Sequence, residues 1–288
     1  MNFKTGQELL EVCRLEGMTI AEAMKCRENE LFGQDTMMQE MHRRWEIMKA
    51  AVQSSITENH RSMGGLIGGE AKRLQAGRLA GTGVCGTLLS KALAYSMGVL
   101  EVNASMGLIV AAPTAGSSGV IPGVFLAIQE ELGFTDDDMV DALFHAGAIG
   151  YLISLNATVS GAEGGCQAEV GTASAMAAGA VTGLMGGSSG ACLDAASTAL
   201  INVLGMVCDP IGGLVEAPCQ KRNGLGVSNA LISAEMSLSH IPGLIPFDEA
   251  VSAMYQVGRG LPEELRETAL GGAAATRTGC EICKSFGV

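Results

Sequence analysis

A mainly α fold is predicted for this 288-residue chain by three observations. Apolar residues recur at three- and four-residue spacing along most of its length, whereas few segments show the period-two alternation of a strand. Forty glycines and many alanines accompany an aromatic content of only 4%, so the core is built from closely approaching backbones rather than from rings. Nearly half of the residues are apolar (48%), enough for one sizeable core. The expected architecture is a helical domain whose central helices are buried and rich in Ala and Gly, with the chemistry carried on their loops.

Taken in order, Thr5-x-x-Glu8 and Thr19-x-x-Glu22 read as capping boxes that open two short helices. From residue 35 to about 60, Met38, Met41, Trp45, Met48 and Val52 share one helical face, the pattern of a core stripe. Ser62 to Gly69 is a Gly-rich turn region. Gly81-Thr82-Gly83-Val84-Cys85-Gly86 matches the G-x-G-x-x-G of dinucleotide sites, but the residues before it, Glu70 to Gln75, read as helix where such a site requires a strand. Helices are expected thereafter over about 86–98, 122–132, 137–154, 167–185, 190–205, 224–238, 247–258 and 262–270. Acidic residues Asp136 to Asp138 suit the first turn of one of them, where the helix dipole favours negative charge. Residues 1–60 are expected to form N-terminal helices packed on a main domain of residues 61–288, with no repeats and no long linker.

Composition excludes several classes. A net charge of −12 argues against nucleic acid or an anionic membrane surface as partner. The uncharged run from Val170 to Leu193 is long enough to span a bilayer, but it is made of Gly, Ala, Ser and Thr and is broken at 186–190, so buried helices account for it better. Nine cysteines, an odd number spread over the whole chain, and an N-terminus without the pattern of a signal peptide point to a reducing, cytoplasmic setting.

Two regions invite a chemical reading. Cys166, Cys208 and Cys219 lie in Gly/Pro-interrupted turns inside a stretch, Ala92 to Gln220, that holds no Lys or Arg; cations return at Lys221-Arg222. Converging thiolates ligate soft metals, although the spacings match no common zinc pattern and small buried cysteines are the alternative. The second region, Ala111-Ala112-Pro113-Thr114-Ala115-Gly116-Ser117-Ser118-Gly119-Val120-Ile121-Pro122, leads into a helix and presents hydroxyls and backbone N–H groups of the kind that hold an anion, or is an ordinary capped turn. It lacks the G-K-[ST] of a P-loop, so a carboxylate suits it better than a triphosphate. Ser160 is a further polar candidate; Glu163 and Glu169, with no cation nearby in sequence, must be exposed, hydrogen-bonded or neutral. The four histidines are scattered without metal-ligand pairing.

APTAGSSGVIP, then GAIGYLISLNATVSGAEGGCQAEVG, then CDPIGGLVEAPCQKRN and finally Arg266-Glu267-Thr268 with Gly271-Gly272 stand in the order and context in which this chain resembles the bacterial iron-sulfur L-serine dehydratases. The resemblance runs from about Ser62 to Cys280 and is to the alpha chain of the two-chain form.

That resemblance implies an L-serine ammonia-lyase in which Cys166, Cys208 and Cys219 hold a [4Fe-4S] cluster with one iron open, a Lewis acid for the serine hydroxyl and carboxylate. Loss of the α proton and of hydroxide gives aminoacrylate, which tautomerises and hydrolyses to pyruvate and ammonia. No pyridoxal phosphate is implied, and among lysines only Lys91 and Lys221 lie between Gly81 and Arg259. By the same analogy Thr114, Ala115, Gly116, Ser117 and Ser160 are expected to bind substrate. Arg222 and Asn223 are expected to meet substrate carboxylate or to offset cluster charge, with a buried structural ion pair as the other reading of Arg222. The general base is unassigned, since the family's Ser-His-Thr motif belongs to a separate beta chain, and an oligomer is expected. Cys280, or else Cys283, is the candidate for the resting fourth ligand. Alternatives are a related lyase acting on L-cysteine or L-threonine, since small side-chain changes shift binding by only about 1–3 kcal/mol, and a non-catalytic iron-sulfur sensor.

Overall fold

The computed structural model describes residues 2–285 and is built from helices; among these residues there is no named strand, only an isolated bridge between Cys208 and Arg266. The order is α1 (Gly6–Glu16), α2 (Ile20–Phe32), α3 (Gln34–Thr57), α4 (Glu70–Leu79), α5 (Gly86–Ala104), α6 (Val120–Leu132), α7 (Asp136–Asn156), α8 (Gly161–Gly164), α9 (Thr172–Leu184), α10 (Ser189–Ile201), α11 (Cys219–Leu238), α12 (Phe247–Gly260) and α13 (Arg277–Ser285). The mainly α expectation and its buried Ala/Gly-rich centre are both met.

The expected caps form. Thr19 and Glu22 complete a reciprocal capping box on α2, whereas Thr5 caps Glu8 N–H but Glu8 accepts from Lys4 N–H rather than from Thr5. Thr135 and Asp138 make a second full box at the start of α7. On α3, Trp45, Met48 and Val52 are buried in the main core, with Met38 and Met41 packed against it. Through this face α3 lies on α5, α6 and α7, and α2 lies on α7.

Helix α9 is the centre. Every residue from Thr172 to Thr182 is buried, and α6, α7, α10 and α11 all pack on it. Ala, Gly and Ser allow this, because side chains of at most one heavy atom beyond Cβ let several helix axes approach one strut. Helix α7 is long and apolar enough to cross a membrane by length and composition, yet twelve of its residues are buried within the bundle. The G-x-G-x-x-G segment follows α4, a helix, so it lacks the strand a dinucleotide site needs. Lys91, buried, is paired with Glu130 at 2.9 Å and with Glu131.

Two expectations are corrected. Helix α11 begins at Cys219, not at 224, which puts Cys219, Arg222 and Asn223 on its first turn. The expected helix over 262–270 is instead one 3-10 turn, Glu263–Leu265, followed by bends. Its backbone groups go elsewhere: Leu265 C=O accepts from Cys208 N–H at 2.9 Å, and Glu267 N–H donates to Cys208 C=O at 2.7 Å. Helix α13 was not foreseen.

Gly98 on α5 shows how close the backbones lie, since a Cβ there would meet Ser55 Oγ at 2.1 Å, Ser55 Cβ at 2.6 Å and Ala71 Cβ at 3.0 Å. Gly98→Ala is therefore expected to destabilise the protein by about 1–3 kcal/mol in chemical denaturation, as overpacking does. His145, on α7, is buried without a hydrogen bond to Nε2, and burial pushes its pKa down to about 3. Between pH 6.5 and 3 the unfolded chain takes up a proton there that the folded one refuses, so this contribution is present above pH 6.5 and is lost as pH falls. At about 1.4 kcal/mol per pH unit it is on the order of 5 kcal/mol. Thermal melts of His145→Gln should fall less steeply between pH 6.5 and 4 than those of the parent chain.

Candidate active site

The three cysteines are carried by three different backbone devices, and Cys166 and Cys208 are in contact. Cys166 follows the short α8 turn and its cap Gly165 and is the N-cap of a π-helical segment, Gln167–Gly171, a widened turn of the kind found at functional sites. Cys208 lies in the bridge with residues 265–267. Cys219 opens α11. All three side chains are buried; Cys166 and Cys208 share an apolar cluster with Val170 and Met206.

Each cysteine is followed by a buried polar residue whose side chain anchors its turn. Gln167 Nε2 donates to Gly164 C=O and Met254 C=O, and its Oε1 accepts from Gly205 N–H. Asp209 accepts from Ala273 N–H through Oδ2 and pairs with Arg222 Nη2 at 2.6 Å through Oδ1. Gln220 Nε2 donates to Glu101 at 3.0 Å and Met97 C=O at 3.3 Å. Buried polar groups in a packed core must be satisfied, and here their satisfaction ties each cysteine turn to other helices. Glu216 does the same for the Gly-rich turn, accepting from Ser62 Oγ, Gly64 N–H and Leu66 N–H.

Electrostatics separate the three thiols. A hydrogen bond from Cys208 holds the Cys166 pKa below its usual value against the effect of burial, with the Arg222 charge assisting. The same bond and burial push Cys208 up, and burial pushes Cys219 up to about 12. Arg222 Nη1 also donates to Val207 C=O at 2.8 Å. The guanidinium is thus held between Asp209 and the Cys166 sulfur, the arrangement of the structural ion pair and of charge compensation rather than that of an arm free for a substrate carboxylate.

Asn223 is fully buried and its amide is fully used: Nδ2 donates to Gly116 C=O at 2.7 Å and Cys219 C=O at 3.0 Å, and Oδ1 accepts from Gly119 N–H at 3.1 Å. It is a strut that holds the Thr114 loop against the third cysteine. Within that loop Ser117 is buried and its hydroxyl meets Thr114 Oγ1 at 3.2 Å, while Ser118 Oγ bonds to Ala115 C=O at 2.8 Å. Thr114 and Ser160 are half-buried, and Ser160 is the N-cap of α8 without a side-chain cap bond.

Glu169 is the residue whose role the sequence left open. It is buried, Thr114 Oγ1 donates to its Oε2, and Cys208 Sγ lies 4.0 Å from its Oε1. A Cβ on Gly116 would meet Oε2 at 2.7 Å, and one on Gly161 would meet Oε1 at 2.1 Å, so two glycines make room for the carboxylate. Burial raises its pKa, with the Thr114 bond opposing. Glu163, by contrast, is exposed and accepts from Thr158 Oγ1. Glu267 joins the site from the bridge segment: Glu169, Cys208 and Glu267 each offer a ligand atom within 4.8 Å of one another. Its φ of 65° is left-handed for a non-glycine residue, a strained conformation of the sort that gathers at functional sites. On α13, Cys280 is exposed with Sγ 3.8 Å from Ala274 C=O, and the helix packs on the turn at Ile211–Gly213 between the second and third cysteines.

Three buried cysteines, one guanidinium and a loop of hydroxyls are the polar groups of this region, and thiols are ligands for soft metals. Sequence comparison gives the family. A family model described as serine dehydratase alpha chain matches residues 15–274, and the chain belongs to that family. It is 45% identical over 286 residues to a probable L-serine dehydratase alpha chain of Bacillus subtilis, covering 99% of this chain and 95% of the relative. It is 43% identical to the L-serine dehydratase alpha chain of Peptoniphilus asaccharolyticus, covering 98% and 97%. An L-serine dehydratase of Streptomyces coelicolor is 36% identical over 96% of this chain but only 62% of its own length.

Asn223→Ala is expected to lower stability by roughly 2–4 kcal/mol, because it leaves the Gly116 and Cys219 carbonyls and the Gly119 N–H unpaired. Asn223→Asp should not rescue it, since a carboxylate would face the same two carbonyls. Urea denaturation of the two variants checks this.

Proposed function

We propose that this chain is the alpha chain of an L-serine dehydratase and converts L-serine to pyruvate and ammonia. Family membership supports the reaction class. The observations that support extending the reading to the residues are the contact of Cys166 with Cys208, the tie of Cys219 to the Thr114 loop through Asn223, and Arg222 against Cys166. In this reading the three cysteines hold a [4Fe-4S] cluster. Such a cluster, when bound, supplies a Lewis acid for departure of the substrate hydroxyl.

The chain's own groups would do the rest. The Cys208 hydrogen bond and the Arg222 charge hold the Cys166 pKa below its usual value, which favours this sulfur as a ligand. Arg222 offsets negative charge at the ligand sphere, and Asn223 keeps Ala115 to Ser117 in register with the third ligand. Thr114 and Ser160 offer hydroxyls to substrate. The proton acceptor is assigned to a beta chain, so that association completes the site. Cys280, carried beside the Cys208 to Cys219 connection by α13, is the proposed resting ligand, ahead of Cys283. All nine cysteines are unpaired, which fits a reducing, cytoplasmic setting.

Purifying the chain under anaerobic conditions with and without its beta chain, quantifying iron and sulfide, and assaying keto acid from L-serine, L-threonine and L-cysteine tests the proposal. Pyruvate from L-serine is expected, decaying in air and returning with ferrous iron and a thiol. A full cluster and a bound partner without keto acid from any of the three would reject a lyase and leave a sensor.

A further inference from the structure

We infer that Glu169 is the specificity-determining group that receives the α-ammonium of the substrate, an inference that rests on the dehydratase reading above. The substrate class it selects is α-amino acids over the corresponding hydroxy acids.

The starting point is an imbalance of charge. Glu169 is buried, and among the described residues no lysine or arginine lies within ion-pair distance of it. The nearest charged group makes matters worse, since Glu267 is a second carboxylate. Arg222, the cation of the site, is spent on Asp209, Val207 C=O and Cys166. Burying a carboxylate without a cation is costly, and evolution ordinarily removes such a group or pairs it. A polar uncharged side chain would satisfy Thr114 as well.

The carboxylate is nevertheless accommodated with care. Gly116 from the Thr114 loop and Gly161 from the α8 turn each present bare backbone to one of its two oxygens, where a methyl group would stand 2.7 and 2.1 Å away. The Thr114 hydroxyl fixes one oxygen and leaves the anion oriented between the two loops proposed to hold substrate. An ammonium group placed there supplies the absent positive charge. Ser160, whose hydroxyl makes no cap bond, directly precedes Gly161 on the α8 turn and is the acceptor proposed for a further N–H. A serine whose carboxylate and hydroxyl are engaged elsewhere has this one charged group left, and Glu169 is the buried anion left to match it.

The test uses the cluster-loaded complex with its beta chain. L-glycerate differs from L-serine by a hydroxyl in place of ammonium. Binding of each is read from the change in the electron paramagnetic resonance of the reduced cluster and from inhibition constants, with iron and sulfide counted in every preparation. The parent enzyme should bind L-serine at least about tenfold more tightly than L-glycerate, because a site built around one polar group rejects the analogue that lacks it. In Glu169→Gln the affinity for L-serine should fall by about tenfold or more while that for L-glycerate holds or improves, and Glu169→Asp should keep the preference. Equal affinities in the parent enzyme, a measurement that needs no variant, would overturn the inference. So would an equal loss for both ligands in Glu169→Gln, which marks a structural part, or a loss of turnover with L-serine affinity intact, which marks proton transfer. Absence of keto acid from the parent enzyme would instead sink the dehydratase reading itself.

Discussion

Backbone polar groups cannot be left unpaired inside a core, and the site of this protein depends on how that demand is met around the cysteines. Cys166, Cys208 and Cys219 interrupt helices or lie between them, so each turn exposes carbonyls and N–H groups among apolar helices. Gln167, Asp209 and Gln220, each the residue after a cysteine, satisfy those groups and also reach to a distant segment: α12 and the loop after α10, the segment after residue 272, and α5. Asn223 adds the Thr114 loop. The polar requirement of the turns and the positioning of the thiols are one set of hydrogen bonds.

The surrounding helices make this possible by being thin. With Ala, Gly and Ser along α9, its neighbours approach closely enough that the short amide side chains span from one backbone to the next. A core of Leu and Phe would hold the same helices further apart and put these bonds out of reach. Low aromatic content and precise polar anchoring are therefore linked, and the small-residue composition belongs as much to the site as to the fold.

Most of the helices were legible in the sequence because periodicity, capping boxes and glycine punctuation are local signals. The start of α11 and the segment over 262–270 were not. Cys219 follows Pro218 and precedes a polar Gln-Lys-Arg-Asn run, which carries no apolar stripe to announce a helix, and the fate of residues 265–267 is decided by Cys208, far away in sequence. The cysteines and the Thr114 loop could be singled out as residues, and the family resemblance supplied their grouping. Glu169 could be recognised only as an acid without a cation. That Thr114 and two glycine backbones surround it depends on long-range contacts. A polar residue directly after each cysteine in an otherwise apolar stretch is a visible signal of these anchors, and Asn223, expected at the substrate or the cluster, is a strut instead.

The bridge between Cys208 and residues 265–267 has a consequence for biosynthesis. On the ribosome, Cys166, Cys208 and Cys219 are all exposed to the cell before the strained Glu267 segment exists to receive the Cys208 backbone. Helices α5 to α10 can pack as they emerge, but the Cys208 N–H and C=O find their partners only when Leu265 and Glu267 arrive. Until then the second cysteine turn is held from one side alone, and its final shape is set by some of the last residues to be made.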